Sequence, residues 1–211
     1  MKVIITGFTP FNNQLNNPSL DILHALPDVL DCAEIIKQPL PTEFEKSTNL
    51  ITNLIDRVRP NLVLNLGQAN GRNGITPELA AFNMDDAQIP DNAGYQPERR
   101  PIRSDGEEKY FSNLPIKAIV RNIRDIGVES RISTSAGSYV CNHVMYEVQY
   151  LLHKKYPDMK AGFIHVPSNY SENYEIPTMA LDDEVNAIEI ALMTAIYHLS
   201  DDIAIEHPYE Y

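Results

Sequence analysis

Cysteine is scarce in this sequence: Cys32 and Cys141 are the only two among 211 residues. Two cysteines so far apart exclude a disulfide framework and a thiolate-rich zinc site, and they point to a reducing compartment. Basic side chains are also few, with 17 Lys and Arg against 29 Asp and Glu, a net charge of −12. Nucleic acid demands a basic surface, and no Lys/Arg cluster offsets the balance, so that partner is excluded and the acidity serves solubility. No apolar run approaches the roughly 18 residues of a membrane span. The opening MKVIITGF carries too short an apolar stretch for a secretory signal. Repeats and low-complexity segments are missing. The expectation is a soluble, cytoplasmic protein with neither a membrane nor a nucleic-acid partner.

What is present is an ordinary globular composition, 43% hydrophobic and 22% charged, at a length that suits one domain over 1–211. Val3–Thr6 is a short β-branched run ended by Gly7 and reads as a buried strand. Asn17 before Pro18 reads as a helix start. AEIIKQPLP reads as a strand, and Thr42 with Glu45 has capping-box spacing for a helix that Pro60 ends. NLVLNLG and PELAAFNMDD read as strands, followed by a long irregular loop over 85–113. LPIKAIVRNIRDIG is a helix, ESRISTS a strand, YVCNHVMYEVQYLLHKKY a helix and AGFIHVP a strand. The closing helix LDDEVNAIEIALMTAIYHL takes Asp182 or Asp183 as its cap. This alternation predicts a single-domain three-layer α/β/α sandwich with a mostly parallel twisted sheet. Ligands of such sheets sit beyond the carboxyl ends of the strands.

That rule directs attention to SAGSYVC, where Cys141 stands at a strand end, a small-residue turn and a helix start. A helix N-terminus stabilises a thiolate and can hold an oxyanion, but a buried cysteine also packs as a small hydrophobe. His165 in FIHVP is a core histidine or a general base. Glu78 is a solvated charge at a strand end or the carboxylate that orients such a histidine. His143, two residues beyond Cys141 on the helix, points away from it; His24, His153, His198 and His207 read as surface residues. GQANGRNG is glycine-containing but ends without Lys-Ser/Thr and lacks G-x-G-x-x-G, so a phosphate cradle is weakly signalled. No cluster has metal-ligand spacing.

These residues lie in longer motifs: TGFTPFNNQLNNPS, GQANGRNGITPELAAFN, DDAQIPDNAGYQP, YFSNLPIKAI, TSAGSYVCNHVMY and FIHVP. In content and order they resemble the pyroglutamyl peptidase I family of cysteine peptidases over nearly the whole chain. The resemblance implies a catalytic triad on Glu78, Cys141 and His165, and release of an N-terminal pyroglutamyl residue from peptides. It also implies a cytoplasmic homotetramer needing no metal or organic cofactor. Carried over by motif, Phe8 and Phe11 are the aromatic walls for the lactam ring, and Asn17 is a structural or binding amide beside them. Gln68 offers backbone to the lactam, and Thr42, Ile89, Tyr139 and Val140 are further pocket positions. Such a pocket suits a neutral ring: apolar walls with a few amide-pairing groups, rejecting proline for want of the lactam oxygen.

The sequence departs from the family pattern in four places. Asn12-Asn13 stand for Gly-Gly, Leu79 for a Lys or Arg, Gln88 for an arginine, and Tyr139 for a phenylalanine. Two other readings follow. One is a weakened or inactive binding paralogue on the same fold. The other is a nucleoside phosphorylase-like enzyme, for whose phosphate GQANGRNG offers only Arg72.

Overall fold

A computed structural model describes residues 1–169, 177–198 and Asp202. Short β-branched runs form the centre of the molecule because both faces of each strand are covered. Strands β1 (Lys2–Phe8), β3 (Ala33–Leu40), β4 (Leu62–Gln68) and β8 (Lys160–Val166) are parallel neighbours. The short β2 (Val29–Leu30) and β5 (Thr76–Pro77) add antiparallel edges, giving the order β2-β3-β1-β4-β8-β5. Helices α1 (Pro18–Ala25), α3 (Ile116–Asp125) and α5 (Leu181–Tyr197) share one core with this sheet. Helices α2 (Phe44–Val58) and α4 (Val140–Lys155) share the core on the other face. The three-layer α/β/α sandwich is as expected.

Several elements differ from the sequence reading. PELAAFNMDD is not one strand: β5 joins the main sheet, whereas β6 (Ala80–Phe82) pairs with β7 (Lys109–Phe111) in a separate antiparallel ribbon. The loop over 85–113 therefore contains a strand of its own. ESRISTS makes only isolated bridges, Ser130 with Ile75 and Ser133 with Glu78.

Helix starts also differ. Asn17 caps α1 as expected, its Oδ1 accepting from the Ser19 N–H at 3.1 Å. The capping box at Thr42 and Glu45 does not form, because the Thr42 hydroxyl donates to the Thr9 carbonyl at 2.7 Å. Glu43 occupies the cap position without a side-chain capping bond, and the Phe44 N–H is taken by Asp91 Oδ2 at 3.1 Å. In α5 the cap is Ala180, with Asp182 and Asp183 inside the first turn. His24, His153 and His198 are exposed, and His207 lies outside the described residues.

Candidate active site

Strands β4 and β8 run side by side and in register to their carboxyl ends, where Gly67 is aligned with His165. Partners across a parallel pair project to the same face, and Phe163 lies on that face two residues before His165. Their rings are 4.8 Å apart. The first turn of α4 lies over this face. A Cβ built on Gly67 would meet Cys141 Sγ at 2.8 Å and Phe163 Cζ at 2.8 Å. Glycine is thus what lets the sulfur rest on β4, one strand from His165.

Edge strand β5 brings the carboxylate. Thr76 and Pro77 pair antiparallel with His165 and Ile164, and the Glu78 N–H donates to the Phe163 carbonyl at 2.9 Å. Glu78 is fully buried, and its Oε1 lies 2.7 Å from His165 Nδ1. Burial works against the charged carboxylate. The His165 hydrogen bond and the charges of His165 and Arg72 outweigh it and hold Glu78 below the usual carboxylate range. An ionised carboxylate only accepts, so Nδ1 carries the proton and donates, leaving Nε2 as the basic nitrogen.

Cys141 is half-buried, and burial with the nearby Glu78 charge pushes its thiol up to about 12, against the opposing Arg72 charge. The helix N-terminus that the sequence offers to a thiolate acts against that burial. No side chain caps α4, so its first backbone N–H groups are not taken up by one.

The other candidate residues fall into three settings. Phe8 is 2% exposed and stacks on Phe163, their centroids 6.3 Å apart. Phe11 is half-buried, 6.1 Å from the Tyr139 ring, and Tyr139 in turn meets the edge of Phe44 at 5.4 Å. The Tyr139 hydroxyl donates to the Pro90 carbonyl at 3.1 Å, and burial raises it to about 12. Val140 is buried and Ile89 half-buried. Asn17 and Thr42 brace loops: Asn17 Nδ2 and the Thr42 hydroxyl both bond the Thr9 carbonyl. Gln68 donates to Asn70 Oδ1 and to the Ser168 hydroxyl.

Three of the departures acquire local explanations. Asn12 and Asn13 have φ of 51° and 59°, the left-handed region where glycine is easiest and asparagine the best-tolerated substitute. Leu79 packs against the core shared by α1, α3 and α5. Gln88 is exposed. Sequence reasoning missed Gly67, Phe163, Asp91 and the role of Arg72. Gly67 stands at the end of a buried strand, where an isolated glycine signals close approach; nothing local marks the others. Arg72 donates to Glu78 Oε1 at 2.8 Å, so it does not stand free for a phosphate and the phosphorylase-like reading loses its cation.

Comparison with known proteins gives this arrangement a family. Residues 1–198 match the model of the family described as pyroglutamyl peptidase. The chain belongs to the pyroglutamyl peptidase family. It is a hydrolase of the cysteine type. It is 46% identical over 199 residues to the pyrrolidone-carboxylate peptidase of Lactobacillus johnsonii, covering 93% of each chain. With the pyrrolidone-carboxylate peptidase of Clostridium perfringens the figure is 45% over 204 residues, 95% of this chain and 96% of the other. The crystal structure of pyroglutamyl peptidase I from Bacillus amyloliquefaciens superposes with a TM-score of 0.92 at 36% identity, over 96% of this chain and 99% of that one. Among the described residues no helix is long and apolar enough to cross a membrane.

Proposed function

We propose that this chain removes an N-terminal pyroglutamyl residue from peptides, with Cys141 as nucleophile, His165 as general base and acid, and Glu78 as the carboxylate that orients it. The observation that carries the reading is the double placement of His165. One ring nitrogen is held by buried Glu78, and the ring stands beside the glycine on which Cys141 Sγ rests.

The raised thiol defines the first step. With burial and the Glu78 charge pushing the thiol up, His165 Nε2 takes its proton as Sγ attacks the carbonyl carbon of the pyroglutamyl residue. The imidazolium formed faces the ionised Glu78, which stabilises it. Backbone N–H groups at the start of α4 receive the oxyanion. The tetrahedral intermediate collapses, the C–N bond breaks, and Nε2–H protonates the departing amine. Water, deprotonated by His165, then cleaves the thioester, releasing pyroglutamate and restoring the thiol.

Phe11, Tyr139, Ile89 and Val140 supply apolar lining for the lactam ring, with Phe8 beneath. Gln68 backbone pairs with its amide, and Asn17 and Thr42 hold the loops in place. The same reading makes 1–211 one peptidase domain and the protein a cytoplasmic homotetramer without metal or organic cofactor, which rests on the resemblance alone.

Hydrolysis of pyroglutamyl-7-amido-4-methylcoumarin tests the assignment. The wild-type protein is expected to be active, and Cys141→Ala and Cys141→Ser to lose about 10³-fold or more while folding normally. A fully active Cys141→Ala protein would overturn it, and an inactive wild type would favour the binding paralogue.

A further inference from the structure

Arg72 belongs to the loop after β4, six residues before Glu78, and its side chain is one-quarter exposed while the glutamate side chain it meets is fully buried. It donates to Glu78 Oε1 at 2.8 Å, the same oxygen that His165 Nδ1 approaches at 2.7 Å. It also donates to the Thr76 hydroxyl. That hydroxyl in turn donates to the backbone carbonyl of His165 at 3.2 Å, across the β5–β8 pairing. One guanidinium therefore braces the carboxylate directly and the strand carrying the imidazole through a single hydroxyl.

A buried carboxylate without a cation faces a heavy desolvation cost, and a neutral carboxylic acid could not stabilise an imidazolium. Leu79, next in sequence, packs against the core shared by α1, α3 and α5 and brings no charge to the carboxylate. We propose that Arg72 is a positioning residue for the Glu78–His165 pair: it neutralises the buried carboxylate, keeps it ionised and fixes which oxygen faces the imidazole. The inference rests on the catalytic reading above. The titratable groups around Glu78 are Arg72 from the β4 loop, His165 from β8 and Cys141 from α4.

The test uses Arg72→Met, Arg72→Lys, Glu78→Gln and the double variant Arg72→Met/Glu78→Gln, all in the full chain. Turnover and KM are measured on pyroglutamyl-7-amido-4-methylcoumarin across pH 5–9, with melting temperatures on the same samples. Arg72→Met is expected to lower kcat by about 10–100-fold with KM within about threefold. Losing a nearby cation raises the pKa of every proton-binding group beside it, so the acidic limb of the activity profile moves up by about one pH unit. Arg72→Lys keeps the charge and recovers part of both effects. The double variant is expected to be no slower than Glu78→Gln, because both changes remove one unit.

Unchanged kcat and pH limb in Arg72→Met, with Glu78→Gln impaired, would overturn the role of Arg72 and leave the triad standing. A raised KM with additive losses would overturn it in favour of direct substrate contact. Wild-type turnover in Glu78→Gln would instead overturn the triad reading itself. If Arg72→Met fails to fold, the equally uncharged Arg72→Gln takes its place, and wild-type kcat with an unshifted limb there overturns the proposal.

Discussion

Cys141 Sγ occupies the space that a side chain on Gly67 would fill, 2.8 Å from the position of such a Cβ. Phe163 closes the same space from the other side at 2.8 Å. The sulfur therefore has no room to retreat, and its height above the sheet is set by a missing methyl group. Gly67→Ala is expected to cost about 1–3 kcal/mol of stability through overpacking. It is also expected to depress kcat, because Sγ is pushed off its seat on β4. A melting curve and a progress curve on the same sample check both effects, and a fully active, unshifted Gly67→Ala protein would contradict the packing described.

Glu78→Gln should leave KM close to the wild-type value and lower kcat by about 10²-fold or more, since the amide can no longer hold the imidazolium. The carboxylate also contributes to stability with a definite sign. Its folded-state pKa is lowered, chiefly by the His165 hydrogen bond and charge working against burial. Its contribution is present above the ordinary carboxylate range and disappears as pH falls through the folded value. Acid unfolding of Glu78→Gln should therefore lose that component, which denaturant melts between pH 3 and 7 would reveal.

Phe8 and Phe11 should separate cleanly, although the sequence gives them one role. Phe8 is 2% exposed, so Phe8→Ala is expected to cost about 3–5 kcal/mol of stability. Phe11 is half-buried, so Phe11→Ala should leave the melting temperature nearly unchanged and weaken substrate binding by about 1–3 kcal/mol. Michaelis constants and melting temperatures for both variants decide the point. A large stability loss with unaltered KM in Phe11→Ala would remove it from the pocket.

Glu184, in the first turn of α5, is fully buried, and neither carboxylate oxygen has a hydrogen-bond partner among the described residues. Burial, with a smaller push from Asp21, raises it from 4.5 to about 8. The folded state holds this proton while the unfolded state releases it, so the contribution of Glu184 falls as pH rises from about 4.5 to about 8. Glu184→Gln is expected to stabilise the protein increasingly across that window and by a constant amount above it. Melting temperatures at pH 5 and pH 9 give the difference. A variant with the same pH dependence as the wild type would show that the carboxyl is not protonated in the folded protein.

The sequence revealed most where the deciding contact is local. Asn17 caps the helix that begins one residue later, and short β-branched runs announce the strands that become parallel neighbours. Cys141, His165 and Glu78 were each ambiguous alone, because a helix start, an apolar strand and a strand end fit a packing role equally well. Motif order singled them out, and the geometry adds the register that aligns Gly67 with His165. Contacts between distant segments stayed hidden. Nothing near Thr42 signals that Asp91 will take over the start of α2, and no spacing rule links Arg72 to a carboxylate on another element. The run PELAAF looks like one strand, yet its two halves pair with different sheets.

Asp91 does more than begin a helix. Its Oδ2 holds the Phe44 N–H while its Oδ1 holds the N–H groups of Ala93 and Tyr95, both at 2.9 Å. A single side chain thereby joins the first turn of α2 to the loop following Ile89 and Pro90. Two segments that share one anchor open together, as one cooperative unit. The Phe44 amide hydrogen is therefore expected to act as a clock for that loop: its exchange with deuterated water should keep time with the opening of the segment after Pro90, at a position that is itself buried in the core.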